Sequence, residues 1–156
     1  LLSIAECGLS GNLMDTSRAS GARRGALDPS MLIGVPEIDD QHGALVAQLE
    51  RIVGLGGELA PPDILTDVLG LLGRTLSDHF DTEERYFERW DMPSHAIAAH
   101  RHAHSAILGQ YADLNLDLMH RKAIDPAEVA RMLTAWIIGH VRDYDLPLRL
   151  YVCEPA

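Results

Sequence analysis

Cysteine and lysine are scarce in this chain of 156 residues, and each scarcity removes a class of function. The two cysteines, Cys7 and Cys153, stand near opposite ends in neither a CxxC pair nor a dense framework, which argues for reduced thiols and a cytoplasmic setting. Lys122 is the single lysine. With 13 basic against 23 acidic residues and a formal charge of −10, neither nucleic acid nor an anionic membrane surface is an expected partner. No apolar run is long enough to cross a bilayer, and the start lacks a basic region followed by a continuous apolar one, so neither a membrane span nor a secretory signal is expected. The phosphate-binding loop, GxGxxG, HExxH and nucleophile-elbow motifs are missing, and no catalytic residue is assigned. No stretch shows convincing strand alternation.

Histidine is what the chain has, eight in all. Residues four apart on an α-helix share a face, so His79 with Glu83, and His100 with His104, can each aim at one buried centre. His42, His140 and Asp145 stand on two further amphipathic segments. Imidazole suits iron, zinc or copper, and carboxylates are hard oxygen donors that bridge cations. Five imidazoles with two carboxylates are too many ligands for one tetrahedral zinc, and the number suggests two metals.

At this length and 47% hydrophobic content, one domain with one core is expected. Residues 1–30, rich in Ser, Gly, Ala and Arg, read as an N-terminal arm or linker, with a short helix near Leu1–Leu13 weakened by Gly8 and Gly11. The bundle is placed at residues 31–156. Pro36, followed by Glu37, Asp39 and Asp40, marks a first helix. Its apolar positions Ile38, Leu45, Val46, Leu49, Ile52 and Val53 share a face with His42, until Gly54, Gly56 and Gly57 end the pattern. Pro61-Pro62-Asp63 opens a second helix, in which Leu65, Val68, Leu69, Leu72 and Leu76 lead in phase to His79 and Glu83. After Asp91-Met-Pro93-Ser94, a third carries Ile97, His100, His104, Ile107, Leu108, Tyr111 and Leu114 on one stripe. Asp125-Pro126 with Glu128 makes a capping-box start for a fourth, whose stripe is Val129, Leu133, Trp136, Ile137, His140 and Val141 before Pro147 breaks it. The architecture expected is all-α, an up-down-up-down four-helix bundle with the site in its core.

A lone histidine on an apolar face usually reads as a core residue with a satisfied hydrogen bond. Five of them on four helices, with carboxylates in phase, read otherwise, because burying them without metal would leave several unpaired at about 1–3 kcal/mol each. At about 100° per residue, His102 lies about 200° from His100, while His95 and His120 lie about 180° and 160° from His104, so these three point away. Phase leaves the last carboxylate open. Asp145 is about 140° around from His140, and Asp143, three residues on, is nearer, so spacing alone prefers Asp143.

Ile38-Asp-Asp-Gln-His42, His79-Phe-Asp-Thr-Glu-Glu84, His100-x-x-x-His104 and Trp136-Ile-Ile-Gly-His140-Val-Arg-Asp-Tyr-Asp145, in that order, resemble the hemerythrin family in its bacterial branch, over about residues 32–150. The resemblance implies Asp145, not Asp143, as a bridging carboxylate. It implies a non-haem di-iron centre, with His100, His104 and His140 on one iron, His42 and His79 on the other, and Glu83, Asp145 and an oxo or hydroxo group bridging them. The iron with fewer protein ligands keeps an open position for O2, or for NO, azide or another small anion. Leu45, Phe80, Trp136 and Ile137 match the O2-pocket positions of the family. Glu84 and Asp143 are candidates to orient ligating imidazoles, and their simpler reading is surface charge. The chain departs from the pattern at Leu27-Asp-Pro-Ser-Met31, where the family often has a Trp, and between Pro93 and His100, an interval two residues longer than common.

The function this implies is reversible O2 binding, as a carrier or store, or as the sensing domain of a larger signalling protein, which the non-Met start and linker-like arm allow. The alternatives are a di-iron peroxidase or a nitric-oxide- or peroxide-scavenging enzyme, and a structural or zinc-loaded bundle. A ferritin-like oxidase is disfavoured because no Glu-x-x-His pair is present.

Overall fold

Four helices carry the structure, a computed structural model that describes residues 28–55, 62–120 and 125–152. They are α1 (Pro36–Leu55), α2 (Pro62–Phe87), α3 (Ser94–Met119) and α4 (Pro126–His140). The expectations for the arm up to residue 27, and those placed on Gly56, Gly57, Pro61, Lys122 and Cys153, lie outside the described residues. Among the described residues there is no strand, and no helix is long and apolar enough to cross a membrane.

The helices begin where local chemistry directs. Proline stands in the first turn of α1, α2 and α4, where its missing N–H costs nothing and its fixed φ suits the helix. Asp125 caps α4, its carboxylate accepting from the Ala127 N–H at 2.9 Å. In α3 no side chain caps the start, and the Pro93 carbonyl takes the Ala96 and Ile97 N–H groups at 2.9 and 3.1 Å. The residues between Pro93 and His100 thus lie within α3, in the turns that precede the first of its two buried histidines.

The regular α-helical part of α4 ends at His140, seven residues before Pro147. From Val141 to Asp145 the helix widens into a π turn, and the Leu146 N–H reaches back five residues to the Val141 carbonyl. Pro147 has no N–H to continue that ladder, and the chain tightens into a 3-10 turn, Leu146–Leu150.

α1 packs on α2 and α4, and α2 packs on α3. The main apolar cluster joins Leu45, Leu49 and Ile52 of α1 with Leu69, Leu72, Leu76 and Phe80 of α2, Ile107 of α3, and Leu133 and Ile137 of α4. A fully buried side chain of this size contributes about 1.5–3 kcal/mol relative to exposure. A second cluster gathers Ile33, Val35, Ile38, Phe87 and Leu148. The segment leading into α1 is pinned by Asp39, whose carboxylate takes the Ile33 and Gly34 N–H groups at 2.7 and 3.0 Å. Gly34 adopts φ 93°, a conformation that favours glycine. Arg149 ties the Ser30 and Leu32 carbonyls to the final turn. Val53, expected inward, is 58% exposed, because Ile52 beside it takes the core position. The two clusters leave one polar layer between them, and five of the eight histidines lie there.

Candidate metal centre

Each helix delivers part of that layer. His42 comes from α1, His79 and Glu83 from α2, His100 and His104 from α3, His140 from α4 and Asp145 from the π turn. All seven are buried, none more than 5% exposed. His42 is flanked one turn away by Ile38 and close by Leu45, and His79 by Leu76 and Phe80, so the apolar periodicity that packs the helices also turns these polar side chains inward.

Asp145 faces both halves of the layer. Its Oδ1 lies 3.0 Å from Nε2 of both His100 and His140, and its Oδ2 lies 3.1 Å from His42 Nε2 and 3.8 Å from His79 Nε2. Glu83 spans it likewise, with Oε2 at 3.0 Å from His104 Nε2, 3.2 Å from His100 Nε2 and 3.8 Å from His79 Nε2. Spacing had preferred Asp143. The π turn overturns that preference, since its i→i+5 hydrogen bonding widens the turn and brings Asp145 much closer in phase to His140 than a regular α-helix would. Asp143 is exposed and paired with Arg142 at 2.6 and 2.8 Å.

Two anions in an apolar interior set the electrostatics. For Asp145, burial opposes ionisation, but the imidazoles of His100, His140, His42 and His79 outweigh it and hold the carboxyl well below its usual range. Burial and the nearby Asp145 charge push Glu83 up, and His100 and His104 more than offset them. Burial disfavours the charged form of His100, yet the two carboxylates raise it to about 9. Several site atoms nevertheless stay without a hydrogen bond, among them His79 Nε2 and Glu83 Oε1. Such buried orphans cost about 1–3 kcal/mol each, and they are satisfied when a cation accepts their lone pairs.

The donors fall into two sets able to hold a metal ion, Glu83, His100, His104 and His140, and His42, His79, Glu83 and Asp145. Within each, the ligand atoms lie within 4.8 Å of one another. Nitrogen and carboxylate oxygen without thiolate suit iron among several metals, and two sets sharing Glu83 suit a pair of ions. The residues present therefore fit a binuclear metal group.

The surroundings hold the rings in place. Phe80 stacks on His104 at 3.9 Å between centroids, and Tyr144 stacks on His140 at 5.2 Å. Glu84, for which the sequence left open an imidazole-orienting role and a plain surface charge, accepts from His104 Nδ1 at 3.2 Å and is itself held by Arg101 Nε at 3.0 Å. The contact between α2 and α3 favours the orienting role over the simpler reading, and spacing along one helix does not reveal it. The histidines judged to point away, His95, His102 and His120, are all exposed.

Beside the layer lies a small cavity of about 10 Å³, lined by Leu45, Leu76, His79, Phe80, Ile107, Ile137, His140 and Val141. That is about the space one water-sized molecule needs. Of the expected pocket residues, Leu45, Phe80 and Ile137 line it. Trp136 does not, and packs half-buried against the main apolar cluster. Leu76, Ile107 and Val141 were not anticipated, although each stands within three residues of a site histidine on its own helix or turn.

No curated protein and no solved structure matches the chain. A family model described as the hemerythrin HHE cation-binding domain matches residues 33–146, which include every one of the seven converging side chains and most of the sequence. The chain belongs to that hemerythrin HHE cation-binding family.

Proposed function

We propose that this protein is a non-haem di-iron protein that binds O2 reversibly, as a carrier or store or as the sensing domain of a larger protein. His100, His104 and His140 would hold one iron, His42 and His79 the other, and Glu83 and Asp145 would bridge them beside an oxo or hydroxo group. The chemistry iron supplies when bound is a two-electron exchange with O2.

The observation that carries the reading is the placement of the cavity. It is apolar except for His79 and His140, which belong one to each donor set, so a diatomic molecule in it lies against both. Asp145 Oδ1 also lies 3.0 Å from His100 and His140, and with both carboxylates shared, two imidazoles stand on one side against three on the other, which supports an open position on the side of His42 and His79. Leu45, Leu76, Phe80, Ile107, Ile137 and Val141 bring no carboxylic acid, amine or hydroxyl to the cavity to deliver a proton. A lining this apolar favours release of the ligand unchanged, and that supports binding over turnover. NO or a small anion such as azide would enter the same position.

Anaerobic loading with Fe(II), followed by metal analysis, tests the metal assignment. Two irons per chain are expected, and a single tightly held zinc per chain would overturn the di-iron reading.

A further inference from the structure

We infer that Gln41 is a positioning residue for His79, and that Thr82 orients Gln41, so that the pair fixes which His79 ring nitrogen is free for the metal. The inference rests on His79 being a ligand, as proposed above.

The argument follows the hydrogens. The Thr82 hydroxyl donates to the Asp78 carbonyl one turn back, at 2.8 Å. A hydroxyl has one hydrogen, so Thr82 Oγ1 can only accept from its other neighbours. Arg85 Nη2 donates to it at 2.9 Å, and Gln41 Nε2 at 3.0 Å. With its NH2 committed to Thr82, the Gln41 amide must present Oε1 to His79, whose Nδ1 lies 3.4 Å away. The opposite amide orientation would set lone pair against lone pair at Thr82. His79 Nδ1 therefore carries the proton, and Nε2 is left with a lone pair.

That lone pair has no hydrogen-bond partner and lies 3.8 Å from Glu83 Oε2 and from Asp145 Oδ2. Thr82 is 2% exposed, so water does not compete for its oxygen. On the outer side, Arg85 also pairs with Glu37 at 3.5 Å, and Tyr86 donates to Glu37 at 3.2 Å, which braces the relay between α1 and α2. His42 Nδ1 and His140 Nδ1 have no such partner. Among the five imidazoles, His79 is thus held by a neutral amide and His104 by the Glu84 carboxylate, so the two donor sets are supported by unlike groups.

The test uses the metal-free and the Fe(II)-titrated protein, with Gln41→Leu, Gln41→Glu and Thr82→Val. Long-range 1H–15N correlation on histidine-labelled, metal-free protein should show the Nδ1–H tautomer of His79 in the parent chain and a mixture in Gln41→Leu and Thr82→Val. In stepwise anaerobic Fe(II) titration, Gln41→Leu should weaken one equivalent by about 10- to 100-fold and leave the other unchanged. Gln41→Glu keeps an acceptor for Nδ1–H and should restore most of that affinity. An unchanged tautomer in Gln41→Leu, or equal weakening of both equivalents, would overturn the inference. A parent chain that takes up no second equivalent would instead sink the di-iron reading, and the tautomer spectra still decide the role of Gln41.

Discussion

Asp145 Oδ1 lies 3.0 Å from Nε2 of His140, five residues before it. An α-helix would carry the two side chains well apart in phase, and the π turn Val141–Asp145 brings them together. The widened turn thus delivers a carboxylate to the centre of the bundle that a regular helix would have sent elsewhere, in keeping with the frequent occurrence of π bulges at functional sites.

From that relationship, Asp145→Asn should lower iron content below two per chain, because it removes the charge that faces both donor sets. Asp143→Asn should keep both irons and change stability by no more than about 0.5 kcal/mol, since its pair with Arg142 is exposed. Metal analysis and thermal unfolding of the two variants check this, and equal iron content would contradict it.

Replacement of His79 by Ala should abolish O2 binding with the helical fold largely kept, because the cavity touches this ring and the apolar clusters do not depend on it. His102→Ala, at an exposed position, should do neither. Circular dichroism with O2 titration separates the two, and equal effects would refute the sorting of the histidines.

Proton release gives a further check. His100 is raised to about 9, so in the metal-free protein it is charged at neutral pH. Its contribution to stability is fully present below about pH 6.5 and is lost as pH rises through about 9. A metal ligand must be neutral imidazole, so metal uptake near neutral pH should release about one proton from His100, and affinity should fall as pH falls. Calorimetric titration in buffers of different ionisation enthalpy reads the proton directly. A heat independent of buffer would contradict the assignment.

Two helical glycines should respond oppositely to Ala. Gly109 faces open space, and Gly109→Ala should stabilise by about 0.5–1 kcal/mol through helix propensity. At Gly73 an added Cβ would land on the Tyr111 ring, whose hydroxyl is held by the Leu69 carbonyl at 2.6 Å. Gly73→Ala should therefore destabilise by about 1–3 kcal/mol, overpacking outweighing propensity. Unfolding midpoints that both rise would contradict the close approach of α2 and α3 there.

Much of this was legible in the chain. Prolines with adjacent acids marked three helix starts, and the period of the apolar residues turned five of eight histidines inward. Regular helical phase failed at Asp145, because it assumes one rise and one angle throughout, and the π turn obeys neither. It missed Gln41 and Thr82, and left Glu84 between two readings, for another reason: their partners His79, Gln41 and His104 stand on other helices, and single-helix spacing carries no information about which helices meet. Trp136 illustrates a third limit, since a residue four before a site histidine can turn toward the core without reaching the cavity.

The central claim is reversible binding of O2 at a di-iron site, and stopped-flow mixing of the anaerobically reduced, iron-loaded protein with O2 tests it most directly. The account predicts a visible charge-transfer band that forms on mixing, vanishes under argon and returns through repeated cycles. Rapid, irreversible oxidation with peroxide turnover would contradict it.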